Sequence, residues 1–581
     1  MYTWSLKELY NDFDQSFIND LQKLDENLDK IANLAENLSD QSSLEIWLKE
    51  NQKTQKLARS LASYTSLRMA TDANDLEAQK YYGQILNIFS KSAKSNALFS
   101  KWIYSVKDDL NNWIESSELI KEHAFILKEE VEHAKYALDE DVESAISRMR
   151  INGSNAWSQL QSHLTSNATI EYNGETHTMT SLRNLAYHKD PKVRKEAYEK
   201  ELELYKQIED GVAFALNSIK GEVIQTNQMR GFENPLEETL LNSRLSKASL
   251  DALLQAIENN LPNFRKYFKH KAELLGHNKG LPWEDLFAPH VVENSKEYSV
   301  EEAQAMIVDS FATFSDDLAN MAKTAFEDNW VDFLPKEGKR GGAFCSNLPQ
   351  IKQSRILMNF GGSISDIVTL AHELGHAYHG MMLQDNSPLN TGYTMPVAET
   401  ASTFCENIVF NASLKTASND EKIMLIENSL QDLTQITVDI LSRFKFEDEV
   451  IRRREHEFLD TNALQDIMLQ AQKESYGDGL DESTYHPYMW VCKGHYYSAS
   501  NNYYNFPYAF GGLFALGLYA QYEKEGEAFV EKYRQLLKKT TTGSCEEVAL
   551  MADIDTTDVA FWESSIDLIN KRIDQYIELT K

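Results

Sequence analysis

The sequence predicts a mainly α-helical protein with a small β-sheet beside one apolar helix, and three observations carry that prediction. Only 11 prolines and 24 glycines interrupt 581 residues. Long stretches at 16–38, 190–227 and 247–275 repeat apolar residues at the spacing of one helix face. Strand signals are confined to two places, near 167–173 and 341–360.

In chain order, the first helical patterns make an amino-terminal helical lobe, 1–180, which ends at the polar, hairpin-like stretch NATIEYNGETHTMTS (167–181). The remainder, 181–581, is expected to form one larger body. Within it the run RGGAF, apolar and glycine-flanked, reads as a strand. Gly341 and Gly342 would let another backbone approach and pair along its edge, continuing through Ala343, although two adjacent glycines also suit a tight turn. Ser363 and Asp366 then form a capping box ahead of Ile367, Leu370, Ala371, Leu374, Tyr378, Met381 and Met382 at helical spacing. A second helix is expected over TMPVAETASTFCEN (394–407), with Thr394 as its cap and Pro396 in its first turn.

A formal charge of −31 argues against nucleic acid and anionic membrane as partners. No apolar run approaches a membrane span, and the start MYTWSLKELYNDFDQ lacks the features of a signal peptide, so a cytoplasmic location is expected. Cys345, Cys405, Cys492 and Cys545 lie far apart, which suits reduced thiols.

The chemistry concentrates in HELGHAYH, residues 372–379. On a helix His372 and His376 sit one turn apart on one face, so both imidazoles can converge on a divalent metal. Glu373 is then placed to touch a water at the metal. This is the geometry of a zinc peptidase. A catalytic zinc takes three protein ligands, and the glycine and histidine that a metzincin needs are replaced here by His379 and Met382. A carboxylate on the following helix remains. Glu399 is assigned as the third ligand and Glu406, seven residues on, as the group that holds a ligating histidine by its other nitrogen. Asp385, in the turn-rich LQDNSPLNTG, is the rival ligand. His379, three residues from His376, faces near the site and is a candidate for lining a substrate subsite.

The chain also resembles a known family, the zinc oligopeptidases that include thimet oligopeptidase and, more closely, oligoendopeptidase F. KRGGAFCSN followed by SRILMNFGGSISDIVTLAHELGHAYHG is similar to that family's run into its active site. TWSLKELYNDF, DPKVRKEAYEKELELYKQI and TTTGSCEEVALMADIDTTDVAFW extend the likeness over nearly the whole chain. The resemblance implies a helical zincin-type metallopeptidase with a deep substrate channel. It implies one zinc per chain on His372, His376 and Glu399, with Glu373 as the catalytic carboxylate, and short unfolded peptides as substrates. HYYSASNNYYNFPYAFGG (495–512) resembles the family's carboxy-terminal histidine and tyrosine segment. His495, Tyr504 and Tyr508 are therefore candidate donors to the carbonyl oxygen as it becomes an oxyanion. A related helical zinc carboxypeptidase and a peptide-binding relative without catalysis are the two alternatives.

Overall fold

The computed structural model describes residues 2–290 and 296–581. Helices dominate. Gln15–Glu36 is capped by Asp14, and Gln41–Thr71 by a capping box on Asp40 and Ser43, and these two pack lengthwise against each other. Tyr10, Phe13, Phe17, Tyr64 and Tyr81 form an aromatic cluster between them and the helix Leu76–Phe89.

The expected hairpin is present. Strand β1 (Thr169–Tyr172) pairs antiparallel with β2 (Glu175–Thr178), and Asn173 and Gly174 turn the chain with φ of 53° and 81°. Trp157 and Leu164 just before it pack in one cluster with Val212, Ala213, Leu216 and Ile219, and with Trp490, Tyr496 and Tyr497.

The helical stretch 190–227 is two helices, Pro191–Lys206 and Glu209–Arg230, separated at Gln207 and Ile208. Lys247–Leu274, by contrast, runs through Pro262 unbroken.

The second sheet is the part that positions the site. It has three strands in the order β3 (Val331–Asp332), β5 (Gln353–Leu357) and β4 (Phe344–Leu348). β3 runs parallel to β5 and β4 antiparallel to it, with Phe344 opposite Leu357 and Leu348 opposite Gln353. β4 is therefore an edge strand. The strand expected at RGGAF begins later, at Phe344, because Gly342 takes φ +79° and Gly341 and Gly342 form a bend ahead of it. Asn359 Nδ2 secures that bend, donating to Arg340 O at 3.0 Å and Gly342 O at 2.8 Å.

The chain's first residues close on this sheet. Phe333 N donates to Tyr2 O at 2.9 Å, and the fully buried Arg355 of β5 pairs with Glu8 at 3.0 Å. Among the described residues no helix is long and apolar enough to cross a membrane.

Candidate metal centre and active site

The motif helix, Ile364–Leu383, starts as expected, with the Ser363 side chain on Asp366 N–H and the Asp366 carboxylate on Ser363 N–H. Its buried face carries Ile367, Leu370, Ala371 and Leu374, which leaves His372 and His376 turned toward a cleft. Their rings stand 5.0 Å apart at 84°.

The helix expected over 394–407 is broken at its most informative residue. A short turn, Met395–Ala398, ends at Glu399, and a new helix runs Thr400–Thr416. Thr394 occupies the cap position without making a side-chain capping bond. The break lets Glu399 leave the helical path and bring Oε2 to 3.3 Å from His372 Nε2 and 3.4 Å from His376 Nε2. Ser402, whose role the sequence did not reveal, donates to the same Oε2 at 2.7 Å. Glu406 Oε2 lies 3.3 Å from His372 Nδ1.

One ligand atom from each of His372, His376 and Glu399 falls within 4.8 Å of the other two. Two imidazoles and one carboxylate are a donor set that suits zinc, and the Glu406 contact fits that use. It occupies Nδ1 of His372 and leaves Nε2, facing the cluster, free to ligate. Asp385 lies elsewhere: it is 77% exposed in its side chain and pairs with Lys352 at 2.6 Å.

The electrostatics are those of a strongly coupled group. Burial lowers the pKa of His372, but Glu399 and Glu406 outweigh it and push it up to about 10. Burial likewise raises Glu399, and the two imidazoles override it and hold its carboxyl well below the usual range. Glu373 shifts the other way. Burial raises its pKa, opposed by the neighbouring histidines and by a hydrogen bond from the Cys345 backbone.

Two cavities, of about 360 Å³ and 340 Å³, share Ala343, His372 and Glu373 in their walls. The first also takes in Cys345, Asn347 and Tyr393, and the second Val368, Phe410 and Asp432. Neither has Gly341 or Gly342 in its wall. His379 lines neither cavity. It is fully buried, with Nε2 2.8 Å from Thr540 Oγ1 and its ring stacked on Tyr393 at 4.4 Å, so the subsite role expected of it is replaced by packing. It shares the angular face of His372 but lies two turns further along the helix, where Thr540 and Tyr393 close over it.

His495, Tyr504 and Tyr508 come together as one aromatic group. The His495 ring lies 4.9 Å from Tyr504 and 6.1 Å from Tyr508. Tyr508 stands in the first turn of Phe506–Glu525, whose Gly511 packs against Pro396 O and the Glu399 side chain. Burial, Tyr504 and Glu399 together push the Tyr508 phenol up to about 12.

Comparison with known proteins gives this geometry a family. The profile of Peptidase family M3 matches residues 184–568, and that of Oligopeptidase F matches 106–169. The chain belongs to peptidase family M3. Oligopeptidase PepF of Bacillus subtilis is 24% identical over 99% of this chain and 87% of its own length. A solved chain from Chlamydophila abortus matches with a TM-score of 0.86 at 20% identity, covering 99% of this chain and 98% of that one. Oligoendopeptidase-F from Enterococcus faecium matches with a TM-score of 0.71 at 19% identity, over 97% and 99% of the two chains. This M3 protein is thus a peptidase, and the mainly helical fold expected of it is the fold of those structures.

Proposed function

We propose that this M3 peptidase is a zinc-dependent endopeptidase that hydrolyses internal bonds of short, unfolded peptides. The observation that carries the reading is the convergence of His372, His376 and Glu399, with Glu373 beside them, where two cavities meet at the end of an edge strand.

His372, His376 and Glu399 would hold the metal, which when bound lowers the pKa of a water and polarises the scissile carbonyl. Glu373 takes the attacking water's proton and delivers it to the leaving amine, a task suited to a carboxylate whose pKa burial has raised. Glu406 orients His372, and Ser402 orients Glu399. A peptide lying along the free edge of β4 would pair with the strand's outward-facing backbone, where the Cys345 N–H also reaches Glu373, with Ala343 at the entrance and the Gly341–Gly342 bend beyond it. Tyr508, with Tyr504 next to it, supplies the donor to the carbonyl oxygen as charge develops there. Peptide backbone is the partner this arrangement suits.

The test is zinc content together with turnover of an internally quenched peptide blocked at both ends. About one zinc per chain and cleavage at an internal bond are expected. Cleavage only when the carboxy terminus is free would make the enzyme a carboxypeptidase, and zinc loading without turnover would make it a binding protein.

A further inference from the structure

His495 has a hydrogen-bonding polarity that its neighbours dictate. Its Nδ1 lies 3.2 Å from Asn505 Oδ1, and Arg443 Nη1 approaches the same oxygen at 3.3 Å. A guanidinium has donors only, so the Asn505 atom that it meets is the amide oxygen and not the amide nitrogen. The His495 nitrogen that meets this oxygen must then carry the proton. Arg443 is itself fixed, mostly buried and paired with the buried Asp439 one turn before it, and Asn505 is buried. A neutral ring with its proton on Nδ1 has a bare lone pair on Nε2.

The groups around the ring act in both directions, and burial with the nearby cations tips the balance to that neutral form. Arg443 and Glu447 face it from the helix Ile440–Arg454, and Lys493 from its own segment. Tyr504 and Tyr508 flank it, and Lys220 from Glu209–Arg230 is bound to Glu447 Oε1 at 2.7 Å and Asn502 Oδ1 at 2.8 Å. Burial lowers the His495 pKa, the Asn505 hydrogen bond opposes this, Arg443 and Lys493 add to the lowering, and Glu447 opposes it again, with a net lowering.

We propose that His495 meets the substrate as a hydrogen-bond acceptor at Nε2, taking a backbone N–H of the bound peptide, and that Arg443, acting through Asn505, is the positioning residue that sets this polarity. This reverses the donor role that sequence alone suggests for His495 and leaves oxyanion stabilisation to the phenols. It rests on the endopeptidase reading above, and on chain geometry that stands without that reading.

Two measurements test it. Asn505→Asp keeps the acceptor and the shape but adds a charge that favours the imidazolium, which puts a proton on Nε2. With zinc content and melting temperature unchanged, kcat/KM should fall roughly tenfold at pH 7 and recover as pH rises through the elevated histidine pKa. Activity at pH 7 equal to or above wild type, in a variant whose nitrogen-15 spectrum shows His495 as the imidazolium despite the nearby Arg443, would mean that His495 donates, and would overturn the proposal. Arg443→Gln should lower kcat/KM similarly and Arg443→Lys, which also offers only donors, should restore part of it; equal loss in both would reduce Arg443 to a structural residue.

The second measurement needs no turnover. Nitrogen-15 spectra of histidine-labelled, zinc-loaded wild type, with the signal assigned by His495→Gln, should report a bare Nε2 and a protonated Nδ1 at pH 7.5. A protonated Nε2 sinks the proposal even if Asn505→Asp does not fold. A bare Nε2 in an enzyme that cleaves no peptide would instead remove the endopeptidase reading and keep the tautomer.

Discussion

In the proposed site Glu399 can ligate only if its carboxylate is held toward the two histidines, and Ser402 donates to its Oε2 at 2.7 Å. Ser402→Ala should leave the fold intact and weaken zinc binding roughly 10- to 100-fold, measured by competition with a chelator, as expected for a group that orients a ligand. Unchanged affinity would show that the kink alone places Glu399. Glu373→Gln should do the opposite. The amide keeps the shape but cannot accept a proton, so zinc is retained while kcat falls on the order of 10²- to 10⁴-fold. Near-normal turnover by a zinc-loaded variant would take Glu373 out of the proposed mechanism. Tyr508→Phe should cost roughly a hundredfold in kcat with little change in KM, the size of one oxyanion donor. At this scale legibility follows proximity in sequence. His372, Glu373 and His376 lie within one turn and were readable together, whereas Ser402, Asn505 and Arg443 belong to residue types that occur everywhere and gain a role only once the chain has folded.

The motif helix and Thr400–Thr416 approach closely because residue 375 is glycine. A Cβ there would meet Ala401 O at 2.4 Å and Ser402 Cα at 2.6 Å, and both of those are backbone atoms that cannot swing aside. Gly375→Ala should therefore push the two helices apart, costing about 1–3 kcal/mol of stability and moving Glu399 away from the histidines. A denaturant titration and a zinc affinity measurement check the two parts, and a stable variant with wild-type affinity would show that the interface can relax. Element boundaries were the least readable feature. Pro262 marks no break in Lys247–Leu274, while the true break at Gln207 and Ile208 has neither proline nor glycine to announce it. The interruption at Glu399 was equally silent, since TMPVAETASTFCEN has good helical spacing throughout and tertiary contacts overrode it. The capping box at Ser363 was legible because a short-range rule determines it.

For the whole molecule, composition and periodicity gave the helical class, and the three-stranded sheet was only half visible. Its central β5 and edge β4 fell within the strand signal at 341–360, but the two-residue β3 was too short to leave any pattern. How the segments close on the site was not readable, because contacts such as that of Arg355 with Glu8 join residues from opposite parts of the chain. His379 shows what such closure costs. Its ring is sealed between the motif helix and Thr540, and burial, with a smaller contribution from the charge of His376, depresses its pKa to about 3. In the unfolded chain the same ring titrates near 6.5, so below that pH the unfolded state binds a proton that the native state refuses. Stability from this group is complete above pH 6.5 and is lost as pH falls toward 3, with a slope of up to about 1.4 kcal/mol per pH unit. Melting of metal-free wild type should therefore decline from pH 7 to pH 5 more steeply than that of His379→Gln, which retains a polar group for Thr540 but has no proton to gain. Working without metal keeps ligand protonation at His372 and His376 from being read as zinc loss. Parallel decline of the two proteins would show that the acid sensitivity of the fold lies elsewhere.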